Sequence, residues 1–190
     1  GAYLEDEGGS NSGSAYIFKR DGTEWEQQYK LTADDAAEKD NFGNSVSIDG
    51  DYAIVGAHQN DEGGSNSGSA YIFKRDGTSW DQQDKLTADD AAASDKFGNS
   101  VSIDGDYAIV GARQNDDGGT SSGSAYIFNR NDNDDWEQQD KIIATDDVAR
   151  DEFGWSVSID GDYAIVGAHQ NDDRGDESGS AYIFKRNDND

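Results

Sequence analysis

The fold is decided by the stretch at residues 97–112, which reads FGNSVSIDGDYAIVGA. The same words occur at residues 42–57 and, with a tryptophan in place of the asparagine, at residues 153–168. Successive copies begin 55 and 56 residues apart, at Phe42, Phe97 and Phe153. A fixed period of this length indicates one supersecondary unit that stacks on copies of itself.

Two shorter phrases recur at the same interval. SGSAYIF begins at Ser12, Ser67, Ser122 and Ser178. The pattern Trp-x-Gln-Gln-x-Lys-Leu/Ile begins at Trp25, Trp80 and Trp136. Each unit therefore carries three sequence blocks in a constant order, and all three enter the prediction of its strands.

The first block predicts a hairpin. Residues 45–48 alternate polar and apolar side chains, as a strand does, and Asp49 and Gly50 predict a tight two-residue turn. Residues 52–55 are apolar on both faces, so we expect this second strand to be covered from both sides. We call these two strands A and B of a unit.

The other two blocks predict two more strands, C and D. Residues 70–73 are apolar on both faces, and residues 75–78 supply the next turn. In residues 80–86 only the ends are apolar and the middle is polar or charged, which is typical of an outer edge strand.

The sequence thus predicts an all-β protein built of β-propeller blades, each of four antiparallel strands, in a tandem repeat of about 55 residues. The expected units are 1–41 (a partial blade with strands C and D), 42–96 and 97–152 (complete blades), and 153–190 (a partial blade with strands A, B and C). These three and a half repeats fit a fragment of a larger propeller or array, or half of a dimeric seven-bladed ring.

Composition excludes several classes of partner and chemistry. With 41 acidic and 15 basic side chains the formal charge is −26, which repels nucleic acid and anionic membranes. There is no cysteine, so disulfides, thiolate catalysis and zinc–thiolate sites are excluded. No apolar stretch is long enough to span a membrane. Such acidity favours solubility or the binding of cations.

Acidic side chains crowd two sets of connections that alternating strand directions place on one face. The B-to-C loops carry Asn60, Asp61 and Glu62; Asn115, Asp116 and Asp117; and Asn171, Asp172 and Asp173. The D-to-A loops carry Asp34, Asp35 and Asp40; Asp89, Asp90 and Asp95; and Asp146, Asp147 and Asp151. We expect divalent-cation binding, most simply of calcium, by the B-to-C loops with help from Asp89, Asp90 and Asp95. The alternative is that Asp and Asn form turns by bonding their own backbone.

The blocks resemble the FG-GAP repeat of integrin α-subunit propellers, and more closely the bacterial and algal FG-GAP proteins. The resemblance lies in Phe42-Gly43 and Gly56-Ala57, in residues 68–73 and in the tryptophan block at 80–86, and it recurs along the chain. It implies an extracellular or cell-surface module for adhesion or recognition, often with calcium. Here the A-to-B connection is only Asp-Gly-Asp, too short to wrap an ion, so the family's calcium loop is not expected at that position.

Some residues could suggest other chemistry. His58 and His169 follow strand B, but no Ser-His-Asp or Cys-His pattern surrounds them, and we expect no enzyme. Arg174-Gly175-Asp176 aligns with acidic turns of the sister loops and is interpreted as a variant of that turn. Trp155 is the one aromatic residue that the periodicity of packing does not explain.

The leading hypothesis is a non-enzymatic extracellular or cell-surface module that binds a protein or glycan ligand. The alternative is a structural repeat unit of a surface filament or cell covering, in which units assemble through open blade edges into a filament or a dimeric ring.

Overall fold

The structure is a computed structural model that describes residues 1–146, 148–172, 175 and 177–187. Within these residues every regular element is a β-strand. The strands are Ala15–Asp21 (β1), Glu24–Leu31 (β2), Val46–Asp49 (β3), Tyr52–Ala57 (β4), Ser69–Asp76 (β5), Ser79–Leu86 (β6), Phe97–Asp104 (β7), Tyr107–Ala112 (β8), Ser124–Arg130 (β9), Trp136–Ile142 (β10), Phe153–Asp160 (β11), Tyr163–Ala168 (β12) and Ser180–Lys185 (β13). In this part of the chain no helix has the length and apolarity of a membrane span.

The strands form four antiparallel sheets in chain order. Sheet 1 is β1-β2, sheet 2 is β3-β4-β5-β6, sheet 3 is β7-β8-β9-β10 and sheet 4 is β11-β12-β13. Sheets 2 and 3 run A-B-C-D, sheet 1 contains C and D, and sheet 4 contains A, B and C. The prediction of an all-β protein with four-stranded antiparallel blades is confirmed.

The turn between strands A and B lies one residue later than the sequence predicted. Asp104 pairs with Tyr107, so the two turn residues are Gly105 and Asp106 rather than Asp104 and Gly105. Gly105 has a φ of 56°, which a glycine adopts without strain at the first position of such a turn. The same shift holds at Gly50 and Gly161.

In sheets 2 and 3, strand B is buried on both faces, as its sequence predicted. Val110 packs into the apolar core between sheets 2 and 3, whereas its neighbour Ile109 packs into the core between sheets 3 and 4. Both side chains are fully buried. Because one strand contributes to two cores, each complete sheet depends on a neighbour on either side.

A phenylalanine at the head of strand A anchors each of the last three sheets. Phe97 packs edge-on against Tyr126 and Phe128 of strand C, with ring centroids 5.4 and 6.0 Å apart. Phe42 and Phe153 make the same pair of contacts in sheets 2 and 4. Fully buried rings in this geometry add packing energy beyond their buried area.

Neighbouring sheets meet most closely at their A strands. The backbone N–H of Val101 donates to Ser45 Oγ (3.1 Å), and that of Ile103 donates to Ser47 Oγ (3.3 Å). At the turn, Gly105 N donates to Asp49 Oδ2 (2.9 Å), and Gly161 N donates to Asp104 Oδ2 in the next pair of sheets (2.7 Å). The A strands therefore form the inner seam of the array.

Two glycines allow this approach at the other end of strand A. A Cβ on Gly98 would lie 2.2 Å from the carbonyl oxygen of Ser69, and its φ is 82°. A Cβ on Gly56, at the end of strand B in sheet 2, would lie 2.0 Å from the carbonyl oxygen of Gly98. The Phe-Gly of one sheet and the Gly-Ala of the preceding sheet thus fit together only as glycines.

Candidate functional site

The B-to-C and D-to-A loops lie together at one end of the sheets, which we call the loop face. The A-to-B and C-to-D turns lie at the other end, the turn face. The two faces are separated by the length of the strands, so each gathers its own set of charged side chains.

One lysine of strand D joins the two kinds of loop. Lys85 Nζ lies 2.6 Å from Asp35 Oδ2, in the D-to-A loop between sheets 1 and 2. It also lies 2.7 Å from Glu62 Oε2, in the B-to-C loop of sheet 2. A single ammonium group therefore sits between two carboxylates that would otherwise repel each other.

The same arrangement occurs in sheet 3. Lys141 contacts Asp90 and Asp117, and its Nζ lies 3.2 Å from Asn115 Oδ1. In sheet 1, Lys30 contacts Glu5 and Glu7, which both lie in the segment before strand C. We call Lys30, Lys85 and Lys141 the bridge lysines.

A buried tyrosine completes the cluster around each of the last two bridge lysines. Tyr71 donates its O–H to Asp35 (2.9 Å), and the ammonium of Lys85 lies 5.4 Å from the centre of the Tyr71 ring. Tyr126 and Lys141 make the equivalent contacts with Asp90. Each lysine is thus held by charge, by hydrogen bonds and by an aromatic face.

The ionisation of these groups follows from the contacts. Burial opposes the charge of Asp35, but the hydrogen bonds from Lys85 and Tyr71 outweigh it and hold the pKa of Asp35 below its usual value. Burial likewise opposes the charge of Lys85, whose pKa is nevertheless raised by the two carboxylates. Burial and the adjacent Asp35 raise the pKa of Tyr71. At neutral pH the cluster holds one ammonium between two carboxylates.

A buried carboxylate of the D-to-A loop is also hydrogen-bonded to the B-to-C loop and holds it in place. Asp95 is buried, and its Oδ2 accepts from Ala92 N (2.9 Å) and from Asn115 Nδ2 (3.3 Å). Burial raises the pKa of Asp95. Asp40 makes the same contacts with Ala37 and Asn60 in the preceding unit, and burial raises its pKa too.

The acid and amide side chains of the B-to-C loops mostly bind their own loop. Asp61, Asp116 and Asp172 accept a backbone N–H five residues ahead, at 2.6, 2.7 and 2.6 Å. Asn60 and Asn115 are buried, and their Oδ1 atoms accept from Ser69 and Ser124, both at 2.8 Å. These contacts are the turn-forming role that the sequence left open as the alternative to metal binding.

The predicted metal ligands are therefore only partly brought together. Glu62, Asp90 and Asp117 contact bridge lysines. Asp89 is exposed, and Asp95 holds the B-to-C loop through its hydrogen bonds. Asn171 is buried and donates to Asp151, as its sister residues do. Asp173 lies outside the described residues. Within the described part of the chain, no group of three or more His, Cys, Asp or Glu side chains is placed to hold a metal ion.

The other residues singled out in the sequence lie near the inner seam of the loop face. Trp155 packs on the ring of His169, with centroids 3.8 Å apart, and under the guanidinium of Arg113 at 4.5 Å. Glu152 pairs with Arg113 (3.0 Å) and lies 3.7 Å from His169. Trp155 therefore joins a charged cluster of sheets 3 and 4. Arg174 and Asp176 lie outside the described residues.

His58 occupies the equivalent position of sheet 2 in a more basic setting. Burial, with the charges of Lys96 and Arg113, lowers the pKa of His58 to about 4. Its Nδ1 is buried and has no hydrogen-bond partner among the residues that the structure describes. The imidazole is thus neutral at physiological pH.

Sequence reasoning missed the bridge lysines. Each lies five residues after the tryptophan of its block, at Lys30, Lys85 and Lys141. That constant spacing was the available signal, but a lysine on a polar edge strand is ordinarily solvated.

Tandem antiparallel blades that share their cores and fit together at paired Phe-Gly and Gly-Ala segments define a β-propeller-type repeat protein. The family model of the FG-GAP repeat matches residues 25–73, 80–128 and 136–184. The matches cover most of the chain, which belongs to the FG-GAP repeat family. No curated protein matches it.

Proposed function

We propose that this chain is a non-enzymatic recognition module that acts outside the cell or at its surface and binds a protein or glycan through its loop face. Its FG-GAP repeats support this proposal, because such repeats often occur in extracellular modules. The observation that carries it is the recurrence of the bridge lysines. Lys85 and Lys141 hold the B-to-C and D-to-A loops of two successive units in the same arrangement, so similar acidic groups recur along one face.

The charge of the loop face favours a cationic ligand. Asp34 and Asp89 are exposed, and they have no part in the lysine clusters. Their backbone N–H groups donate to Gln82 and Gln138 of the following sheet, both at 3.0 Å, which holds the backbone at each aspartate in place. Fixed acidic groups on a protein of charge −26 attract basic protein segments and raise their rate of association.

Binding of an immobilised lysine-rich peptide tests this proposal, with a neutral polysaccharide as the second probe. The double variant Asp34→Asn/Asp89→Asn is expected to weaken peptide binding several-fold. Its matched control is Asp21→Asn/Asp76→Asn, which removes two exposed charges from the turn face. An equal loss of peptide binding in the two double variants would contradict recognition by the loop face. So would a wild type that binds neither the peptide nor the polysaccharide.

Calcium binding by the B-to-C loops stays a secondary proposal, supported by the number of carboxylates there. The same binding assay in calcium and in chelator, together with calorimetric titration, tests it. Calcium should release heat and change peptide binding. No heat and no thermal shift at millimolar calcium would remove the idea.

A second candidate function is a structural unit of a surface filament or cell covering. It is favoured by apolar side chains that are exposed at both ends of the array. On sheet 4, Ile165 and Ile183 are 44% and 72% exposed, although the equivalent Ile54 and Ile72 of sheet 2 are fully buried. On sheet 1, Trp25 is 66% exposed. Exposed apolar faces of this kind often mark sites of association.

A further inference from the structure

A groove lies between sheets 3 and 4, beside the free edge of the last strand. Its cavity measures about 610 Å³. The lining includes Tyr107, Ile127, Ile142, Ile159, Phe184 and Arg186. In the described part of the chain β13 is the edge of its sheet, because it is hydrogen-bonded only to β12. The groove thus combines an apolar floor with an open strand edge.

The corresponding space between sheets 2 and 3 is filled by Trp136 at the start of strand D. Trp136 is 6% exposed, and its ring lies edge-on to Tyr52 with centroids 6.2 Å apart. Its backbone N–H donates to Asp84 Oδ2 (3.3 Å), while Gln83 Nε2 donates to the carbonyl oxygen of Asp134 (2.6 Å). Between complete sheets, this space is therefore occupied by a strand D that begins with a tryptophan.

The groove between sheets 3 and 4 already has the walls that such a strand needs. The guanidinium of Arg186 lies 4.6 Å from the centre of the Tyr107 ring, as that of Arg130 lies 4.4 Å from Tyr52. Gln139 and Asp140 line the groove at the positions where Gln83 and Asp84 bind strand D. What distinguishes the two spaces is the tryptophan and its strand.

One segment of the chain matches such a strand, and its tryptophan end is exposed, although its other end is buried at Leu31 against sheet 2. Strand β2 carries Trp25, Gln27, Gln28, Lys30 and Leu31, the same residues as β6 at the same spacing. It belongs to a two-stranded sheet, which by itself is of marginal stability. Its Trp25 is 66% exposed, whereas Trp80 and Trp136 are 4% and 6% exposed.

We propose that strand β2 of a second copy of this chain enters the groove and pairs with β13 as strand D of sheet 4. Strands β1 and β13 share the sequence AYIFK, at residues 15–19 and 181–185, so β13 can replace β1 as the partner of β2. In the register of β1 and β2, Arg186 would then stand opposite Trp25 of the second copy, as Arg20 does in its own chain.

This contact joins the last sheet of one copy to the first strands of another. It is heterologous, so it either closes into a ring, of which the smallest is a dimer in which each copy fills the groove of the other, or grows into open chains. The inference goes beyond the recognition function proposed above, and it gives a molecular form to the second candidate function.

Solution mass over a range of protein concentrations tests the proposal with the full chain. The wild type should self-associate. Trp25→Ala removes the tryptophan of the strand that enters the groove, and Ala164→Trp fills the groove itself. Each substitution should weaken the affinity of self-association at least tenfold. Val148→Ala changes an exposed apolar residue of a D-to-A loop and serves as the control. Mixing the first two variants should restore one junction and produce a 1:1 dimer that grows no further.

A synthetic peptide of residues 24–31 provides a measurement that does not depend on the folding of a variant. It should bind the wild type and block self-association, and the same peptide with alanine in place of tryptophan should do neither. A wild type that stays monomeric, or associates equally well with Trp25→Ala, would overturn the inference. The loop-face test above would be unaffected by that result.

Discussion

Two ion-pair sites of sheet 2, one at each end of its strands, have the same chemistry in different surroundings. On the turn face Arg75 pairs with Asp51, and the side chains are 41% and 56% exposed. On the loop face the side chain of Lys85 is 18% exposed and contacts two carboxylates at once. An exposed pair adds little stability because water solvates both partners, whereas a partly buried lysine that holds two loops cannot be removed without leaving them unpaired.

The largest expected effect concerns the glycines of the two faces. Gly98→Ala, at the loop-face end of β7, should lower the free energy of unfolding by about 3 kcal/mol or more, because the new Cβ meets a backbone carbonyl and φ is positive. Gly77→Ala, on the turn face, has a φ of 61° but open space around it, and should cost about 1 kcal/mol. Denaturant unfolding measures both, and equal losses would show that close approach is unimportant.

The next effect compares the ion pairs themselves. Lys85→Met should destabilise the chain by about 1–3 kcal/mol, because Asp35 and Glu62 lose their common partner. Arg75→Met should cost at most about 0.5 kcal/mol. Chemical denaturation at low and at high salt measures the difference, which should narrow as salt screens the carboxylates. A loss in Arg75→Met as large as that in Lys85→Met would contradict the distinction between the faces.

The smallest effect is a pH dependence on the loop face. In the folded chain the pKa of His58 is lowered to about 4, while that of an unfolded histidine is about 6.5. The folded state therefore disfavours the proton. The stability that depends on neutral His58 is present above pH 6.5 and is lost as the pH falls towards 4. His58→Gln should flatten this part of the curve of melting temperature against pH, and an unchanged slope would exclude His58 as its cause.

Much of the fold could be predicted because the sequence repeats its strands. The run of residues 107–112, which is apolar on both faces, and the polar middle of residues 80–86 were enough to assign buried and edge strands. The exact turn was not predictable, since Asp-Gly and Gly-Asp are both acceptable turn pairs in the segment Asp104-Gly105-Asp106.

The seam of A strands could not be read from one strand's pattern. Ser45 and Ser47 alternate with apolar residues, a pattern that fits a strand facing water equally well. In the structure their hydroxyl groups accept backbone N–H groups of the next sheet. Only the position of the neighbouring sheet distinguishes the two cases.

The contacts of the acidic loops were only partly predictable. The sequence drew attention to these loops, but it counted their carboxylates without the lysine of strand D. Lys85 lies more than twenty residues from both of its partners, Asp35 and Glu62, so no local motif contains the three together. Whether the loops also bind calcium stays a prediction.

The seam also gives the array a direction. Within the described residues, the A strands of sheets 2 and 3 offer serine and aspartate oxygens to the following sheet and receive no such bond in return, as Asp49 does for Gly105 and Asp104 for Gly161. Units can therefore follow one another in one orientation only. Duplication of whole units preserves this pairing of donors with acceptors, whereas an inverted unit would place acceptor against acceptor.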